Sequence, residues 1–220
     1  MRRIIDSIQS DVPLLGKVEH IMYPCLLHSL TADGLDSIEE GVDCISMFLY
    51  YGYKDKPISA EMWKLFPQLL YVCAGNDGDM EGGFGFEYVN QIVIALKNYF
   101  ARDQNGILCV GENQTKTHLQ LTYHFINRCL QVNRNGSDGL DGVAVMGLII
   151  AILENMQGKI DGDLPHIVGI LSEELNYLND KKGKKNYKSM ILQAFSMCFA
   201  YNAMLTFQVL EQSGQTLNVF

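Results

Sequence analysis

The chain has 220 residues, of which 48% are apolar and 19% charged, and its formal net charge is −8. That length with that apolar content supports an array of small packed units, and an acidic chain lacks the clustered Lys and Arg that neutralise phosphates, so direct nucleic-acid binding is not expected. An acidic surface instead suits basic protein partners.

The six cysteines are Cys25, Cys44, Cys73, Cys109, Cys129 and Cys198, and none forms a C-x-x-C pair. Four sit among apolar residues at helical spacing, the pattern of reduced, buried thiols in a cytosolic or nuclear protein. No signal peptide opens the chain. The longest apolar run, Val143 to Leu153, is far too short to cross a bilayer, so no membrane insertion is expected.

Taken in order, the chain repeats one helical period again and again. Met1 to Ser10 reads as a helical fragment. Val18, Ile21, Met22, Cys25 and Leu26 share a face, then Ile38, Val42, Ile45 and Leu49. Met62, Leu65, Phe66, Leu69, Leu70 and Cys73 fit the template without a miss, as do Val89, Ile92, Val93, Leu96, Tyr99 and Phe100. Leu119, Thr122, Ile126, Cys129 and Leu130 follow. The stretch from Val143 to Met156 is apolar nearly all round, which predicts burial between neighbours. Leu164, Ile167, Val168, Leu171, Leu175 and Leu178 make the next set, and Tyr187, Met190, Ile191, Ala194, Phe195, Cys198 and Asn202 the last.

The punctuation agrees. Ser59 is placed to cap a helix with Glu61 in its first turn, and Asp138 to cap the Val143 helix, which Gly158 closes. Asp163 before Pro165 marks another start. No segment alternates with a two-residue period, so no sheet is predicted. Helix starts fall near residues 13, 36, 59, 83, 114, 139, 163 and 187, and two helices together occupy about 45–55 residues, near the HEAT-type range. The expected fold is all-α: a HEAT-repeat-like superhelix of about four helical hairpins, with residues 1–220 forming one array. A first helical fragment, Met1 to Ser10, without an upstream partner and a strongly apolar last helix predict a fragment of a longer solenoid.

Certain residues carry a resemblance. Ile58-Ser59-Ala60-Glu61-Met62-Trp63-Lys64-Leu65-Phe66-Pro67 resembles the I-S-P-x-x-W-x-L-F-P helix of importin-β superfamily receptors, closest to the importin seven/eight type, with Ala60 where that pattern has Pro. Phe86-Glu87-Tyr88 and Leu96-Lys97-Asn98-Tyr99 resemble that group's F-x-Y and L-x-N-Y helix, and Pro24 ahead of Ile38-Glu39-Glu40 resembles the region upstream. The matches cover residues 15–103. The resemblance implies a middle or C-terminal piece of a nuclear import receptor that shuttles between cytoplasm and nucleus. It implies protein cargo, Ran GTPase acting through the full-length receptor, and FG nucleoporins as partners. A nuclear exporter, or another α-solenoid scaffold or coat-like adaptor, is the alternative of the same shape.

Catalytic chemistry has little to stand on. The five histidines show no metal-ligand spacing, and no nucleophile has an elbow or an ordered partner, so neither enzyme activity nor a cofactor or metal is expected. Gly82-Gly83-Phe84-Gly85 lacks the strand and the G-K-S/T of a phosphate loop. The loop with Asp77, Asp79, Glu81 and Glu87 lacks the ligand order of an EF-hand. Lys181, Lys182, Lys184 and Lys185 read as a solvated loop, and Trp63 as core. The expected cargo contacts are the acidic sets Glu39, Glu40 and Asp43, and Asp77, Asp79 and Glu81.

Overall fold

A computed structural model describes residues 2–8, 11–52, 57–75, 83–112, 114–136, 140–179 and 185–212. Among them are ten α-helices: α1 (Arg2–Ile8), α2 (Val12–Ser29), α3 (Ile38–Tyr51), α4 (Ala60–Ala74), α5 (Val89–Arg102), α6 (Gln104–Ile107), α7 (His118–Gly136), α8 (Leu140–Asn155), α9 (Leu164–Asn179) and α10 (Lys185–Gln212). No strand forms among the described residues; a single antiparallel bridge joins Val110 to Thr117. The fold class is all-α, as the periodicity predicts. The short α6 has no counterpart in the sequence reading, because a single turn carries no period.

The helix starts follow local chemistry. The Ser59 hydroxyl accepts from the Met62 amide at 3.1 Å and caps α4. Asp11 caps α2 through the Leu14 amide at 3.1 Å. Asp163 and Pro165 lie where α9 begins, after a tight turn over Asp161–Asp163. Gly158 takes a left-handed φ of 69° just beyond α8, which suits a residue without Cβ. Asp138 lies outside the described residues. α10 is interrupted at Asn202 (φ −158°, ψ 92°), a break that the helical period did not announce. There the Asn202 side-chain oxygen accepts from the Leu205 amide and starts a second helical stretch.

The helices form two compact units, Met1–Gln131 and Val132–Phe220, with the boundary inside α7. In the first, α2 packs on α4 and α3 on α5, while α2 also packs on α3 and α4 on α5. Cross-links fix the register. Gln91 of α5 donates to Glu39 of α3, and Asn98 donates to Ser46, both across 52 residues of sequence. Two links with one offset mean that α3 and α5 run parallel. Glu19 to Ser59 and His20 to Glu61 place α2 beside α4 at offsets of 40 and 41 residues. Two successive α-hairpins therefore stack in register, each layer taking one helix from each hairpin. In the second unit α10 packs against α8 and α9.

The core follows the predicted stripes with one correction. On α2 the buried residues are Leu15, Met22, Leu26 and Ser29, with Leu30 buried at its C-cap, while Ile21 is 72% exposed and Cys25 faces solvent. Pro24 lies inside this helix, and the stripe is carried by Leu15, Met22 and Leu26 at i, i+7 and i+11, not by the run at 18–26. Four cysteines, Cys44, Cys73, Cys129 and Cys198, are buried thiols outside any disulfide, and Cys25 and Cys109 are exposed. Burial pushes the Cys198 thiol up to about 12. One described helix, α10, is long and apolar enough to cross a membrane by length and composition, a property that the run from Val143 to Leu153, interrupted only by Gly147, does not have. It carries Tyr187, Ile191, Ala194 and Cys198 into the core of its unit.

Candidate interaction surface

The acidic residues expected to attract a partner sit where α3 begins. Glu39 and Glu40 occupy its first turn and are exposed, and Asp43, one turn on, is half-buried. Carboxylates in a first turn also oppose the positive end of the helix dipole. That local role explains why they are there, but not what else gathers around them.

Folding adds residues from elsewhere in the chain. Asp36 arrives from the turn before α3, and Glu87 and Tyr88 from the turn before α5. Partial desolvation, then the negative charges of Glu87, Glu39, Asp36 and Glu40, push the Tyr88 phenol above its ordinary value. Those four carboxylates therefore lie within electrostatic reach of one phenol. Gln91 spans it, donating to Glu39 Oε1 at 3.0 Å while its own carbonyl oxygen is buried without a hydrogen-bond partner. The result is an acidic rim within reach of a phenol, complementary to ammonium and guanidinium groups, which bring donors, positive charge and affinity for an aromatic face. Asp36, Tyr88 and Gln91 were not legible as part of it, because nothing local links residues about fifty positions apart; the stacking of α5 on α3 does.

The second expected set, Asp77, Asp79 and Glu81, lies outside the described residues, as do Lys181, Lys182 and Lys184; Lys185 is exposed. The glycine segment packs on the end of α4: the amides of Gly83 and Gly85 donate to the carbonyls of Cys73 and Val72. Among the described residues no group of three or more His, Cys, Asp or Glu is arranged to hold a metal ion. Trp63 is half-buried, and its indole stacks on the His118 ring at 4.5 Å with an interplanar angle of 18°.

Comparison with known proteins agrees with the motifs at Trp63 and Phe86. The chain is 24% identical over 217 residues to an importin beta-like SAD2 homolog of Arabidopsis thaliana, covering 99% of this chain and 19% of that protein. It is 21% identical over 216 residues to a probable importin-7 homolog of Dictyostelium discoideum, covering 96% of this chain and 18% of that protein. The chain thus spans about a fifth of the length of these curated relatives. No family model matches, and no solved structure matches. Along almost all of its length, this chain is similar to one stretch of importin-β-like proteins.

Proposed function

We propose that the chain is a non-catalytic, cargo-binding segment of a nuclear import receptor. The observation that carries this reading is the similarity of nearly the whole chain to importin-β-like proteins. The parallel stacking of successive hairpins supports a HEAT-like array, which offers a long surface and needs no deep cleft. On this reading residues 1–220 are one part of a longer array. Ran and FG nucleoporins act on the receptor as a whole, which moves between cytoplasm and nucleus. The contribution of this segment is the acidic rim of Asp36, Glu39, Glu40 and Glu87, which draws basic proteins to Tyr88. Asp43, and the set of Asp77, Asp79 and Glu81, extend the same acidic character.

Exposed charges act within about 8 Å at physiological salt. Binding through the rim is therefore strong at low ionic strength and weakens as salt rises. The test is a binding panel of histones, ribosomal proteins and acidic controls at low and physiological salt. Selective, salt-sensitive retention of the basic proteins is expected. Retention of basic and acidic proteins alike, or of neither, contradicts the reading.

A further inference from the structure

A cavity of about 650 Å³ opens between α2, α4 and the loop after α6, with Tyr23, Trp63, Lys64, Pro67, Gly111 and His118 among its walls. Nothing in the proposed function uses it. His118 is only 3% exposed. Its Nδ1 lies 2.9 Å from the Gly106 carbonyl oxygen. A carbonyl can only accept, so Nδ1 carries the proton and Nε2 presents a lone pair. Desolvation lowers the pKa of this imidazole and keeps it neutral, although the Gly106 bond works the other way. Nε2 is buried and has no hydrogen-bond partner. It lies under Gly111, where an added Cβ would approach it to 2.9 Å. Gly111 belongs to an exposed loop whose Glu112 pairs with Lys64 at 3.1 Å across the cavity mouth.

We infer that this cavity receives a tyrosine side chain from a partner polypeptide, its ring against Trp63 and its hydroxyl donating to His118 Nε2 as the Gly111 loop yields. The walls select for it in three ways. Trp63, Tyr23 and Pro67 favour a flat apolar ring. The unpartnered Nε2 requires a donor, which phenylalanine lacks. The phenol oxygen also accepts, and Lys64 in the cavity wall brings donors that it can accept from, which distinguishes a phenol from an indole. This inference does not rest on the acidic rim and can fail or hold independently of it.

The probes are N-acetyl-tyrosinamide and N-acetyl-phenylalaninamide, which differ by one hydroxyl. Trp63 is the single tryptophan of the chain, so its emission reports occupancy. Roughly five- to tenfold tighter binding of the tyrosine probe is expected, the range that one hydrogen bond to an otherwise unsatisfied acceptor gives. The His118 Nε2 resonance should move with the tyrosine probe alone. His118→Phe keeps a ring on Trp63 but removes the lone pair, and should equalise the two probes. Gly111→Ala, in an exposed loop, should weaken the tyrosine probe even if His118→Phe fails to fold. Equal binding of the two probes to the unmodified chain, or no change in Trp63 emission or the His118 resonance with either, overturns the inference.

Discussion

The Tyr187 hydroxyl donates to Glu174 Oε2 at 2.5 Å, and Glu174 is a carboxylate with no exposed surface. Its other oxygen accepts from Arg134 Nε at 2.5 Å, while Arg134 Nη2 reaches Glu173 at 3.1 Å. The Tyr177 hydroxyl donates to the Arg134 carbonyl at 2.7 Å. A buried charge is tolerable only when its oxygens are paired. This network therefore ties the end of α7 to α9 and α10 inside the second unit.

Tyr187→Phe leaves a buried carboxylate oxygen without its donor. A loss of about 1.5–3 kcal/mol in urea unfolding is expected, the scale of a hydrogen bond to a charged group. A loss below about 0.5 kcal/mol would show that the pair contributes nothing. Burial, then the Glu174 carboxylate, raises the Tyr187 pKa far above its ordinary range. The folded state therefore favours the protonated phenol. Its contribution is complete below the unfolded tyrosine pKa of about 10 and fades as pH rises beyond it. Alkaline destabilisation should be shallower in Tyr187→Phe.

His118 gives the acid side of the pH profile. Desolvation places its folded pKa below its ordinary value of about 6.5, so the unfolded chain binds more protons in the window beneath. Stability should fall as pH drops below about 6.5, and His118→Gln should flatten that slope. Unfolding midpoints between pH 7.5 and pH 5, on the order of the range over which histidine titrates, provide the measurement. An unchanged slope in the variant would place the acid sensitivity elsewhere.

Two glycines separate space from propensity. A Cβ on Gly34 would lie 2.0 Å from the His28 carbonyl oxygen and 2.9 Å from the Ser29 Cα, and backbone atoms cannot step aside. Gly16, inside α2, has nothing within 4 Å of the same position. Gly34→Ala should cost more than about 2 kcal/mol, whereas Gly16→Ala should stabilise by about 0.5–1 kcal/mol through helix propensity. Thermal unfolding of both variants decides it. Equal effects would mean that the turn before α3 is not held against α2 as described.

What was legible in the sequence followed from chemistry that acts over one or two helical turns. The Ser59 cap, the start of α3 at Ile38 and the stripes of α4 and α5 all express local spacing. What depended on tertiary approach was not legible. Ile21 and Cys25 satisfy a helical stripe yet face outward, since the neighbours, not the period, choose the buried face. Glu174 carries no local mark of burial in the sequence, and only the fold brings Arg134 and Tyr187 onto it. The acidic pair Glu39 and Glu40 was visible, but Asp36, Glu87 and Tyr88 joined it only through the parallel register of α3 and α5.

The acidic rim carries the central claim, and charge reversal tests it most directly. The measurement is the affinity of one basic protein, a histone or a ribosomal protein, for the unmodified chain and for a variant carrying Glu39→Lys, Glu40→Lys and Glu87→Lys. All three side chains are exposed, so the variant should stay folded; Glu39→Lys and Glu40→Lys each forfeit a favourable contact with the helix dipole, about 0.3–1 kcal/mol, which unfolding of the variant measures. The account predicts at least a roughly tenfold loss of affinity at low salt, narrowing as salt screens the rim. An unchanged affinity in a folded variant would contradict it, because the basic partner would then be held by some other surface.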